Sequence, residues 1–146
     1  MKSIILWLLF STCAFAASDD GLISIESTHS FQKTVKKLET ILKNKGFTIF
    51  AKVDHRKNAS LVKRNLKQST VFIFGNPNVG TPLMKASPSF AIDLPVKILI
   101  HKNDDKVTIV YNDPLYLAKR HGVKSDFPQI LKMSGALKKI SSKVAN

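Results

Sequence analysis

The sequence predicts a single compact α+β domain in which a largely antiparallel sheet packs against helices. Apolar residues at helical spacing over residues 31–45 are followed by strict alternation over residues 47–53, the pattern of a strand with one face on a core. Two β-rich runs, residues 96–102 and 107–112, flank a polar four-residue link, which is typical of a β-hairpin. The chain has 146 residues, which is room for one domain of ordinary size.

Local start and stop signals bound the predicted elements. Gly46 ends the first helix, and Asp113 with Pro114 starts a later short helix that Gly122 stops. The continuous apolar run of residues 71–74 predicts a strand buried on both faces. Strands are predicted over residues 21–26, 47–53, 71–74, 90–94, 96–102 and 107–112, and helices over residues 31–45, 56–65, 78–86, 115–121 and 127–144.

Residues 1–16 are predicted to be a signal peptide. Lys2 is a positive start, residues 4–10 form a short apolar run, and Ala14 with Ala16 makes a small-x-small cleavage site. Residues 17–21 are then a short polar lead-in to the domain. Because no later stretch is apolar enough to span a bilayer, the mature chain is expected in the periplasm or outside the cell.

Cys13 is the only cysteine, and it lies within the predicted signal peptide. Cleavage near Ala16 removes it, so that the mature chain has no disulfide and no thiolate metal site. A lipoprotein anchor at Cys13 is a less favoured alternative, because Phe10 and Thr12 fit such a signal poorly.

The formal net charge is +13, or +12 once Lys2 is removed. Such a field attracts nucleic acid, anionic lipid or acidic polysaccharide in a salt-dependent way. The basic residues are spread over many segments instead of being grouped with aromatic residues. A solvated basic surface is therefore the simpler interpretation, and weak contact with anionic polymers is the alternative.

The stretch Gly75–Pro82, GNPNVGTP, has the spacing of a phosphate-binding loop. Thr81 replaces the lysine that reaches the phosphates, and Pro82 replaces the hydroxyl residue that holds magnesium. We therefore predict a structural turn in which Gly75 and Gly80 adopt special backbone angles. A weaker functional version is that free backbone N–H groups of the turn donate hydrogen bonds to a small anion.

The sequence contains no motif for nucleophilic catalysis and no helical zinc spacing among its four histidines. His55 and His121 both lie at predicted element ends, where site residues often project. No catalytic residue, metal site or cofactor is predicted from the residues. An enzyme would need a histidine and a carboxylate brought together in space.

Seven short blocks occur in this order along the chain: Val53–His55, Phe74–Pro77, Gly80–Thr81, Leu83–Met84, Pro88, Asp93–Pro95 and Tyr111–Pro114. Together these blocks resemble the family called domain of unknown function 302. The resemblance covers residues 22–122 and implies a small α+β domain, often dimeric, with no established reaction and no catalytic residues to transfer. Residues 123–146 are predicted as a C-terminal amphipathic helix that packs on this domain.

The leading functional hypothesis is a non-catalytic binding or accessory module, forming a homodimer and binding an unknown small ligand near residues 75–88. Ordinary core packing is the simpler interpretation of the apolar residues in this region. The alternatives are a hydrolase or metal-dependent enzyme with a spatially assembled His/Asp site, and a weak polyanion binder. The predicted ligand-binding residues are His55, Asn76, Gly80, Thr81, Met84 and His121.

Overall fold

The computed structural model describes residues 16–17 and 20–146. The predicted signal peptide, apart from Ala16, lies outside the described residues together with Cys13, and so do Ser18 and Asp19 of the lead-in. The strands are β1 (Ala16–Ala17), β2 (Leu22–Ser27), β3 (Thr48–Asp54), β4 (Ser69–Gly75), β5 (Val96–Asn103) and β6 (Lys106–Asn112). The helices are α1 (Phe31–Asn44), α2 (His55–Leu61), α3 (Pro77–Ala86), α4 (Pro114–Arg120) and α5 (Pro128–Ala145), with a 3₁₀ helix at Pro88–Ile92.

All strand pairs are antiparallel, and the strands lie in the order β1-β2-β6-β5-β4-β3. The predicted hairpin is the β5–β6 pair, in which Asn103 pairs with Lys106 across the turn. The predicted α+β class and its antiparallel sheet are confirmed. β3 is one edge of the sheet, and a bulge between Ile49 and Ala51 interrupts its pairing with β4.

One face of the sheet forms the core with helices α1, α3, α4 and α5. Phe72 and Phe74 of β4 are fully buried there, whereas Val71 and Ile73 are partly buried on the opposite face. The prediction that residues 71–74 are buried on both faces was wrong. Hydrophobicity alone did not show this, because a strand with one partly buried face can also be apolar throughout.

The C-terminal helix α5 packs against α1, α3 and α4 and reaches β2. Its buried side includes Ile130, Leu137 and Ile140, whereas Leu131 is 54% exposed. At its end the carbonyl of Ala145 accepts hydrogen bonds from the backbone N–H and the hydroxyl of Thr28, both at 2.9 Å. These hydrogen bonds join the end of β2 to the end of α5.

The extended conformation predicted for residues 90–94 was wrong, because residues 88–92 form a 3₁₀ helix. Pro88 fixes the first φ angle of this helix, and the N–H of Phe90 donates to the carbonyl of Ser87 at 3.0 Å. Phe90 is fully buried by this turn. The 3₁₀ helix ends at Asp93, immediately before the Leu94–Pro95 peptide bond, which is cis.

The predicted special backbone angles of Gly75 and Gly80 were also wrong. Gly75 belongs to β4 and Gly80 to α3, so both have ordinary angles for regular structure. Among the described glycines, positive φ angles occur instead at Gly21, Gly46 and Gly122. The last two end α1 and α4, as predicted.

Candidate ligand-binding site

A cavity of about 280 Å³ lies between the start of β3, the end of β4, the start of α3 and one side of α5. Its walls are largely apolar, with Phe50 and Met84 among the side chains that line it. Asn76, Thr81 and Lys132 are the polar members of this lining. A concave, mainly apolar space with a few polar groups is the usual form of a small-molecule site.

The local sequence sets where α3 begins, next to the cavity. The Asn76 side chain caps the helix by accepting from the N–H of Asn78 at 2.9 Å, and Pro77 occupies the first helical position. The carbonyl of Asn76 accepts from the N–H groups of Val79 and Gly80 at 2.9 and 3.1 Å. These three N–H groups already donate within the turn, so the expectation that they are free for an anion was wrong.

The two glycines of this stretch widen the cavity. A Cβ at Gly80 would lie 3.5 Å from Leu94 Cδ1, and one at Gly75 would lie 3.6 Å from Pro95 Cβ and 3.7 Å from Phe50 Cε2. These are ordinary van der Waals distances, so a methyl group fits at either position without strain. The absence of side chains at Gly75 and Gly80 therefore leaves space that the fold itself does not require.

The structure brings four of the six predicted ligand-binding residues together. Asn76, Gly80, Thr81 and Met84 all line the cavity. His55 is exposed and follows the end of β3 opposite to the cavity, because the other end, Thr48, pairs with Gly75. A seven-residue strand is about 20 Å long, so His55 lies too far away to share a ligand with Asn76.

His121 belongs to a second cluster, at the end of α4. Its Nε2 lies 2.6 Å from Asp93 Oδ2, and its Nδ1 lies 2.9 Å from Ser89 Oγ. Arg120 Nη1 lies 3.3 Å from the same carboxylate oxygen. The Phe90 ring packs against the imidazole with centroids 4.6 Å apart.

This cluster has the order serine, histidine, aspartate, with the histidine between the other two. If Nε2 carries the proton and donates to Asp93, the lone pair of Nδ1 accepts from the Ser89 hydroxyl. The sequence points to His121 but not to its partners Ser89 and Asp93, because these belong to a distant part of the chain that only the fold brings next to α4. The cavity beside Asp93 is only about 10 Å³, and neither Ser89 nor His121 lines it.

Within residues 16–17 and 20–146 there is no group of three or more histidine, cysteine, aspartate or glutamate side chains placed to hold a metal ion. In the same part of the chain no helix has both the length and the apolar character needed to cross a bilayer.

A family model described as "Domain of unknown function DUF302" matches residues 23–144. The chain belongs to the DUF302 family. The match confirms the resemblance seen in the sequence and extends through α5. A crystal structure of an uncharacterized DUF302 protein from Bacillus stearothermophilus superposes with a TM-score of 0.76 at 13% identity, covering 85% of this chain and 98% of that one. This likeness shows that the DUF302 fold is shared.

Two curated relatives of this DUF302 domain are named "Fluoride-specific ion channel FluC 1". The protein from Brucella suis biovar 1 (strain 1330) is 37% identical over 111 residues, which is 74% of this chain and 44% of the relative. The one from Brucella abortus biovar 1 (strain 9-941) is also 37% identical over 111 residues, and 41% of it is covered. The chain therefore spans less than half the length of these relatives.

Proposed function

We propose that this DUF302 domain is a non-catalytic binding module that holds a small ligand in the cavity at the start of α3. The observation that carries the proposal is the cavity itself. The fold leaves it open although a methyl group would fit at Gly75 and at Gly80, which line it. Its apolar walls favour a ligand with an apolar body. The Lys132 ammonium and the Asn76 amide favour a polar or anionic end on that ligand.

The module acts outside the cytoplasm in this proposal, after cleavage near Ala16, and forms a homodimer. An accessory role beside a membrane protein is supported by the relatives named as ion channels. Fractionation of the expressing cells and light scattering of the purified protein test location and dimerisation.

The ligand proposal is tested with octanoate, which has an apolar body and one anionic end, and with octanol as its uncharged counterpart. Ala136 lines the cavity, so Ala136→Phe is expected to fill it and abolish octanoate binding in calorimetry. Leu131→Phe is the matched control, because Leu131 lies exposed on the same helix. Native mass spectrometry of the purified protein reports any ligand already bound.

Lys132→Gln is expected to weaken octanoate at least fivefold and to leave octanol unchanged, because only octanoate carries a charge. Equal octanoate binding by the wild type, Ala136→Phe and Leu131→Phe would contradict the cavity as the site. Failure of both probes to bind, together with no co-purified ligand, would remove the proposal.

A second candidate function is hydrolysis of an ester at Ser89, favoured by the serine–histidine–aspartate order at α4. In this reaction the Ser89 oxygen attacks the acyl carbon while His121 takes the hydroxyl proton and returns it to the leaving alcohol. Water then hydrolyses the acyl-serine and releases the acid. This candidate ranks second because neither Ser89 nor His121 lines the cavity at α3 or the small cavity beside Asp93.

Covalent labelling by a fluorophosphonate, located by peptide mass spectrometry, tests this reaction. Labelling of Ser89 that Asp93→Asn reduces at least tenfold would support it, since the aspartate orients the imidazole. Ser87→Ala is the control, because Ser87 contacts Ser89 but not His121. Wild-type protein that takes up no label at Ser89 would exclude the candidate.

A further inference from the structure

Residues 55–67, here called the basic segment, comprise α2 and the turn that follows it. The segment contains no acidic residue and five cationic ones, which are Arg56, Lys57, Lys63, Arg64 and Lys67. It also exposes three large apolar side chains, Leu61 at 75%, Val62 at 68% and Leu66 at 47%. None of the residues of α2 is buried. The apolar side chains are therefore not used to hold this helix on the core.

The backbone at the end of α2 keeps these side chains at the surface. The N–H of Arg64 donates to the carbonyl of Ala59 at 2.9 Å, and that of Lys63 donates to Ser60 at 3.0 Å, the pattern of a Schellman ending. Lys63 occupies the left-handed position with φ 56°, where glycine is favoured. A lysine thus stands at a position that is strained for it, between two exposed apolar residues and Arg64.

A groove of about 600 Å³ separates the basic segment from the β5–β6 hairpin. Arg56, Arg64, Lys67 and Lys102 line it, and the single carboxylate among its lining residues is Asp104. Asp104 is already paired with Lys67, whose Nζ lies 2.7 Å away. Three cationic side chains therefore remain around the groove for an anionic group.

We propose that the basic segment docks on the surface of an anionic lipid bilayer. The groove accepts a lipid phosphate, while Leu61, Val62 and Leu66 insert at the boundary between headgroups and acyl chains. Cations alone would serve a nucleic acid or an acidic polysaccharide equally well, since those partners are bound through their charge. The exposed apolar side chains among the cations favour lipid, and this surface is separate from the ligand cavity.

Sedimentation of the full chain with phosphatidylcholine vesicles, with and without 30% phosphatidylglycerol, tests the proposal. We expect the anionic lipid to increase binding strongly, and this increase to fall about 30-fold in Arg56→Gln/Arg64→Gln, because each basic residue near such a surface contributes about 1 kcal/mol. Lys36→Gln/Lys124→Gln removes the same charge elsewhere and is expected to keep most of the increase. All variants share residues 1–16, so differences between them report the basic segment.

The apolar contribution is tested by Leu61→Gln/Val62→Gln, with Ile92→Gln/Leu131→Gln as a control that changes two exposed apolar residues elsewhere. We expect at least a fivefold loss of anionic-vesicle binding in the first variant and none in the second. Unchanged binding of Leu61→Gln/Val62→Gln to anionic vesicles would overturn lipid as the partner. So would wild-type binding to a DNA duplex that is as tight as binding to these vesicles and depends on salt in the same way. Equal losses in the two charge variants would overturn the basic segment as the surface.

Discussion

Gly21 is the glycine whose substitution the structure tolerates least. Its φ is +76°, and a Cβ added there would collide with the Tyr116 ring. We expect Gly21→Ala to lower the free energy of unfolding by about 2–3 kcal/mol, because strain and the clash act together. Gly135→Ala is the control, since the space around Gly135 in α5 is open, and it should raise stability by up to about 1 kcal/mol. Urea denaturation measures the free energy of unfolding of both variants. Equal effects of the two substitutions would contradict the strain and the clash inferred at Gly21.

Glu39 makes stability depend on pH in the acid range. Hydrogen bonds from Lys43 and Lys52, each at 2.8 Å, lower the pKa of its carboxyl from 4.5 to about 2. Because the folded pKa is the lower one, this stabilisation is present above pH 4.5 and is lost as pH falls toward 2. The side chain is 31% exposed, so solvent screening limits the effect to about 1 kcal/mol.

Urea midpoints at pH 6 and pH 2.5 measure this loss. Glu39→Gln should reduce the difference between the two midpoints, whereas Glu26→Gln, which removes an exposed carboxylate 3.3 Å from one lysine, should leave it nearly unchanged. A difference that is the same in all three proteins would show that Glu39 is not responsible.

At the scale of single elements, the ending of α2 predicts a stabilising substitution. Lys63→Gly relieves the left-handed conformation and should raise the free energy of unfolding by about 0.5–1 kcal/mol. Lys63→Ala removes the same charge without relieving the backbone, so it should give no such gain. Thermal denaturation of the two variants separates backbone strain from charge, and identical melting temperatures would contradict the prediction.

Element boundaries were predicted well where local chemistry sets them and poorly where tertiary contacts do. Gly46 and Gly122 end helices because a residue without Cβ adopts positive φ easily, and the sequence shows this directly. Residues 88–92 form a 3₁₀ helix in which Phe90 is buried. This burial depends on core residues that are distant in the sequence, so local patterns do not show it. Likewise the motif around Asn76 predicts that this residue lies at a ligand site. Lys132 of α5 could not be predicted there, because no local pattern indicates that α5 packs beside α3.

At the scale of the whole molecule, the one-sided core predicts different costs for neighbouring residues of one strand. Phe72→Ala should destabilise the protein by about 3–5 kcal/mol, because it leaves a cavity between the sheet and the helices. Val71→Ala, on the opposite and partly buried face, should cost about 1 kcal/mol. Equilibrium urea unfolding measures both costs, and similar values would contradict the two-layer arrangement.

The hydrogen bonds between Thr28 and Ala145 join residues 117 positions apart. Since synthesis proceeds from the N-terminus, a nascent chain that ends before Pro128 has made all six strands but not the helix that covers much of their apolar face. Contacts this distant in sequence form late and slowly. The domain therefore cannot complete its folding until α5 has left the ribosome.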